Sequence, residues 1–214
     1  MQLNRRGFLC SLAAAGVSGC CCLHGKDERT RVALQLYSVR GLMKEREGFR
    51  RTLKAVRDIG YEGVEFAGYG GFQSREIKEM LDNLGLGRAG THIGIESLHP
   101  DRIQETIDFN LGYGNRMLTV SWAHEPKGCR DRVGYWKKLA EDLSTAADMA
   151  RASGCMVGYH NHQHEFRDKV NGVPVFQLLF DNTSPLVRLQ ADVGHMVSAG
   201  VDPVTWLRRY PGRS

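Results

Sequence analysis

The 214 residues are 42% hydrophobic, 25% charged and 8% aromatic, a makeup that excludes a disordered or fibrous chain and fits a folded globular protein. Apolar runs stay shorter than the roughly eighteen residues a membrane-spanning helix needs, so a multi-span membrane protein is excluded. The formal charge of +5 is scattered, and without a Lys/Arg stripe it gives no reason to invoke nucleic acid.

The first element in chain order is an address. Asn4-Arg5-Arg6-Gly7-Phe8-Leu9 precedes a short apolar run from Cys10 to Val17, the layout of an export signal over residues 1–25. The paired arginines followed by Phe8 and Leu9 resemble a twin-arginine signal, and Val17-Ser18-Gly19-Cys20 resembles a lipobox that would lipidate Cys20. An ordinary secretory signal cut near Gly19 is the alternative. Four of the six cysteines (Cys10, Cys20, Cys21, Cys22) lie in this leader, so a disulfide scaffold spread through the fold is rejected. The leader predicts a bacterial protein in the periplasm, or held at a membrane only by an N-terminal lipid.

Residues 26–214 read as one domain of alternating strands and helices. Val32 to Tyr37 predicts a strand, and Phe49, Leu53, Val56 and Ile59 predict a helix that Gly60 ends. Gly63 to Phe66 is the second strand, followed by a helix marked by Ile77, Met80, Leu81 and Leu84. Gly90 to Gly94 is the third, with Ile103 and Ile107 on its helix, and Met117 to Val120 is the fourth. A long helix from about Val133 to Ala152 turns Leu139, Leu143 and Ala147 inward. Cys155 to Tyr159 is the fifth strand, with a helix around Val175 to Phe180. Val187 to Ala191 is the sixth, and Pro203 to Arg209 starts one more helix.

Strict alternation of this kind implies a parallel sheet with covering helices. Gly68-Tyr69-Gly70-Gly71 lacks the spacing of a dinucleotide-binding turn, and no phosphate-loop Gly-Lys-Ser/Thr occurs. Polar residues instead gather at the C-terminal ends of nearly all strands: Tyr37, Glu65, His92, Trp122, His160 to Glu165, and Asp192 with His195. A (β/α)8 barrel assembles its site from several strand ends at that face, whereas an open sheet uses one crevice. The prediction is an α/β TIM barrel with about six of its eight β/α units present.

The densest chemistry is Tyr159-His160-Asn161-His162-Gln163-His164-Glu165, followed one strand later by Ala191-Asp192-Val193-Gly194-His195. Imidazole and carboxylate donors in one place suit a divalent ion such as Mn, Zn or Fe better than Ca. Solvated or packed histidines are the bland alternative.

Five segments in order carry a resemblance: Leu34-Gln35-Leu36-Tyr37-Ser38-Val39-Arg40, Gly60-Tyr61-Glu62-Gly63-Val64-Glu65, Thr91-His92-Ile93-Gly94, Gly158-Tyr159-His160-Asn161-His162 and Ala191-Asp192-Val193-Gly194-His195. Together they resemble the xylose-isomerase-like sugar isomerase/epimerase superfamily. That resemblance implies one divalent ion (Mn, Zn, Mg or Fe) and proton abstraction beside a carbonyl of a free or keto sugar. It matches Asp192 to a metal ligand and His195 to a substrate-contacting position. Strand five departs from the family pattern, reading His160-Asn161-His162 where relatives often read Glu-Asn-His. His160 and Glu165 are therefore expected to share the metal role, with Glu165 and His195 catalytic. Tyr37, Glu65, His92, Trp122, His162 and His195 are expected to bind substrate.

A keto-glycoside lyase of the same fold, a noncatalytic binding protein and, with least support, a DNA-repair endonuclease are the competing readings. An oligomer is compatible with all of them. Strands seven and eight, which would carry a His and a Glu ligand, are not in the sequence, so the barrel is expected to be C-terminally truncated and inactive by itself. Measurable epimerase or lyase turnover by this 214-residue chain would refute that expectation.

Overall fold

The computed structural model describes residues 30–214, so the export signal and lipobox expectations lie outside the described residues. Six parallel strands hydrogen-bond in chain order: β1 (Ala33–Gln35), β2 (Gly63–Phe66), β3 (Gly87–Ile93), β4 (Met117–Val120), β5 (Met156–His160) and, after a two-stranded ribbon, β8 (Arg188–Gln190). The ribbon strands β6 (Lys169–Val170) and β7 (Val173–Pro174) pair antiparallel. The main helices are α1 (Arg46–Ile59), α2 (Ser74–Leu84), α3 (Pro100–Gly112) and α4 (Arg132–Ala152). Shorter ones follow: α5 (His164–Arg167), α6 (Val175–Asp181), α7 (Val193–Ser198) and α8 (Pro203–Arg209). Among the described residues no helix is long and apolar enough to cross a membrane.

Strand parity divides the sheet into an apolar outer face and a polar inner one. Val64 and Phe66, Leu118 and Val120, Val157 and Tyr159, and Leu189 are buried in the apolar core with the helices. Phe49, Leu53 and Val56 come from α1, Ile77 and Leu81 from α2, and Leu139, Leu143 and Ala147 from α4. The inner face carries Gln35, Glu65, His92, His160 and Gln190. Gln35 pairs with Glu65 in register, and His160 with Gln190.

The inner contacts show that the sheet is curled. Four inter-strand steps separate β2 from β8, about 19 Å if the sheet were flat. Gln190 Nε2 nevertheless donates to Glu65 Oε1, and Gln190 Oε1 lies 2.7 Å from His92 Nε2. Only a sheet rolled toward a barrel brings those groups together. The close approach also explains a glycine: a Cβ at Gly90 would sit 2.9 Å from Glu65 Oε1.

Some boundaries differ from the sequence expectations. The first strand ends at Gln35 instead of Tyr37, because the Gln35 side chain accepts the Tyr37 N–H and starts a 3-10 turn over Leu36–Leu42. Ile59 is exposed, lying at the end of α1 beside Gly60, which takes a left-handed φ of 108°. Helix α7 follows Asp192 directly, where only a strand end was expected.

Replacing Gln190 by Leu keeps the side-chain bulk but leaves Glu65 Oε1 without that donor and His92 Nε2 without that acceptor. Losing hydrogen bonds to buried charged or polar groups costs about 1–3 kcal/mol. Gln190→Leu is expected to lower the urea unfolding midpoint accordingly, and an unchanged midpoint would mean that the cross-sheet contacts contribute nothing.

Candidate active site

At the C-terminal mouth of the curled sheet lies a cavity of about 460 Å³, within the usual range for small-molecule sites. Tyr37, His92, Trp122, His160, His162, Asp192 and His195 all line it, so seven of the nine residues expected from the sequence converge there. Gln35, Ser38 and Ser121 complete the wall.

Beneath the cavity Glu65, buried at 7% exposure, is held in a polar network instead of lining the wall. Gln35 Nε2 lies 3.0 Å from His92 Nδ1, and because an amide nitrogen only donates, Nδ1 accepts. The ring proton then sits on Nε2, which faces Gln190 Oε1 at 2.7 Å and Glu65 Oε2 at 3.3 Å. One tautomer satisfies every partner.

The remaining histidines cluster above this floor. The His160 ring lies 4.8 Å from His162, and His162 lies 4.6 Å from His195. Each of the three offers one donor atom within 4.8 Å of the others. Asp192 Oδ2 stands 3.9 Å from His160 Nε2 and 3.8 Å from His195 Nε2. Its other oxygen accepts the His195 backbone N–H at 2.8 Å, capping α7 and fixing the carboxylate. Burial pushes the His160 and His162 imidazoles down to about 4, so both are neutral with lone pairs available near pH 7. Buried His162 Nδ1 has no hydrogen-bond partner.

This donor set fits a divalent ion. Nitrogen and carboxylate ligands about 2.0–2.2 Å from a common ion stand roughly 3–4 Å from each other, close to the Asp192 separations here. Neutral imidazoles and an ionised carboxylate are the forms that ligation requires.

Glu165 does not line the cavity. It is fully buried on α5, accepting the Tyr159 hydroxyl at 2.8 Å on one oxygen and the His162 backbone N–H at 2.8 Å on the other. Burial raises its carboxyl to about 7. It forms a second donor group with His162 and His164, also within 4.8 Å of one another. At the cavity mouth Trp122 is 54% exposed and rests 4.7 Å from His162. Tyr37 is 57% exposed, with the Arg40 guanidinium 3.9 Å above its ring.

Sequence reasoning passed over the residues that hold this arrangement. Buried Asn161 accepts the Asp192 N–H at 3.0 Å and donates to the Asp192 carbonyl at 3.1 Å, extending the β5–β8 pairing past the strand ends. Gln35 and Gln190 were readable only as strand residues; their inward parity beside Tyr37 and Asp192 was the available signal.

The sequence matches the family model described as xylose isomerase-like TIM barrel over residues 53–212. The chain belongs to this family. It is 25% identical over 183 residues to an inosose dehydratase of Lacticaseibacillus casei, a match covering 77% of this chain and 60% of that protein. An inosose dehydratase of Bacillus cereus (strain AH820) is 34% identical over 130 residues, covering 52% of this chain and 43% of that one. The chain thus spans about three fifths or less of the length of these curated relatives. A sugar phosphate isomerase/epimerase structure from Parabacteroides distasonis ATCC 8503 superimposes with a TM-score of 0.73 at 22% identity, covering 90% of this chain and 75% of that one. The six-strand curl is therefore an incomplete barrel of the family's type.

The three shifted groups set opposing pH dependences. His160 and His162 bind protons less tightly in the fold, so their contribution is present above 6.5 and lost as pH falls toward 4. Glu165 binds its proton more tightly in the fold, so its contribution is present below about 4.5 and lost as pH rises through about 7. Removing the carboxyl as Glu165→Gln is expected to steepen the loss of stability on acidification from pH 6.5 to 4.5. Denaturant midpoints measured across that window check it, and an unchanged slope would contradict the assignment.

Proposed function

We propose that this is a sugar-processing enzyme that removes a proton from the carbon beside a carbonyl of a free or keto sugar. The observation that carries the proposal is the convergence of four imidazoles and the Asp192 carboxylate on one cavity at the mouth of the barrel. His160 and Asp192 would hold a divalent ion, with His162 directed at the same point. When bound, the ion would draw electron density from the carbonyl and a neighbouring hydroxyl, acidifying the adjacent C–H. His195, set by the helix that Asp192 caps, takes and returns the proton. Trp122 and Tyr37 offer apolar ring faces to the sugar at the entrance, and Glu165 fixes the turn that carries His162.

Removal of the proton leaves an enediolate. Its reprotonation gives an isomer or epimer, and loss of hydroxide from the next carbon gives a dehydrated ketone. The two relatives named inosose dehydratases support the second outcome for a cyclic polyhydroxy ketone. The Arg5-Arg6 leader supports export, which favours unphosphorylated sugars.

Calorimetric titration of the 214-residue protein with Mn²⁺, and then with D-fructose, tests the reading. Fructose is expected to bind only with the ion present, and Asp192→Ala should weaken ion binding at least tenfold. Ion affinity unchanged by Asp192→Ala, or fructose binding indifferent to the ion, would overturn it.

A further inference from the structure

A second cavity of about 310 Å³ shares His92 with the first and lies over the end of β3, between the β2–α2 loop and α3. Its wall is part aromatic and part polar. Tyr69 and Phe109 pack with ring centroids 4.4 Å apart, and both line the space. The Tyr69 hydroxyl is held by Asn110 Nδ2 at 2.9 Å, so the ring is fixed in place. Ser97, Glu105 and Thr106 also line the cavity. Their side chains are not used to build the fold, since they take part in none of the side-chain hydrogen bonds or ion pairs of the described residues. An aromatic wall faced by uncommitted hydroxyls and a carboxylate is chemistry for a neutral, hydroxyl-rich ring, with C–H groups against the aromatics and hydroxyls against the polar side. Glu105 opposes an anionic ligand, which argues against a phosphate or a carboxylate.

We infer that this cavity is a second sugar subsite, so that the substrate is a two-ring glycoside whose reacting ring occupies the His160–Asp192 cavity and whose other ring lies over the end of β3. The inference rests on the proposed function for the first cavity and adds the size of the substrate to it. Tyr69 and Phe109 hold the distal ring, and Glu105 and Thr106 read its hydroxyls. Nothing in the subsite takes part in the proton transfer.

The test compares D-fructose with lactulose, which is the same ketose carrying a β-linked galactose, by calorimetry on the Mn²⁺-loaded protein. Lactulose is expected to bind at least tenfold more tightly. Thr106→Leu, which fills the cavity, should erase that advantage while fructose affinity stays within twofold. Glu105→Ala, at an exposed helix position, should reduce it several-fold and guards against a Thr106→Leu protein that fails to fold. Equal binding of the two sugars, or a lactulose advantage untouched by both variants, would overturn the subsite and leave the first cavity's reading standing. If neither sugar binds, both fall.

Discussion

The side-chain amide of Gln190 joins Glu65 and His92 across an interior that a flat sheet would hold about 19 Å wide. Around it Gln35 fixes the His92 tautomer and Gly90 leaves room for the carboxylate. A buried polar network of this kind is costly if any member is unpaired. Here each partner depends on the sheet being rolled, so the curvature and the hydrogen bonds require one another. The apolar outer face drives helix packing in any α/β sheet; the polar inner face selects the barrel.

The site above that floor depends on two short devices at strand ends. Asn161 clamps the Asp192 backbone, and Asp192 caps the helix that carries His195. Glu165 secures the other side of the β5 turn through Tyr159 and the His162 N–H. The result places His160, His162, His195 and Asp192 around one cavity, although they come from two strand ends and a helix. Burial keeps His160 and His162 neutral, and His162 Nδ1 is left without a hydrogen-bond partner, a cost compatible with a site kept ready for a ligand.

Much of this was legible in the sequence, for physical reasons specific to each element. Strand–helix alternation and the polar ends of the strands suffice to point to a barrel; strand parity turns His92 and His160 inward, while Tyr37, Trp122, His162, Asp192 and His195 reach the cavity from just beyond the strand ends. Glu165 was not placeable, because parity ends where the chain turns, and α5 puts its carboxylate against the outward-facing Tyr159. The 3-10 turn after Gln35 depends on a side-chain cap that competes with the strand propensity of Leu36 and Tyr37. Gln190 could not be singled out from sequence because its role is a contact over 125 positions. The helix after Asp192 was too short to show a period.

In the proposed function the imidazoles at the end of β5 and the Asp192 carboxylate close on a single divalent ion. X-ray absorption on the zinc-loaded protein tests it most directly. Imidazole scattering from at least two histidines at about 2.0–2.1 Å is expected, together with a carboxylate oxygen. A shell of oxygen alone, without imidazole scattering, would contradict it.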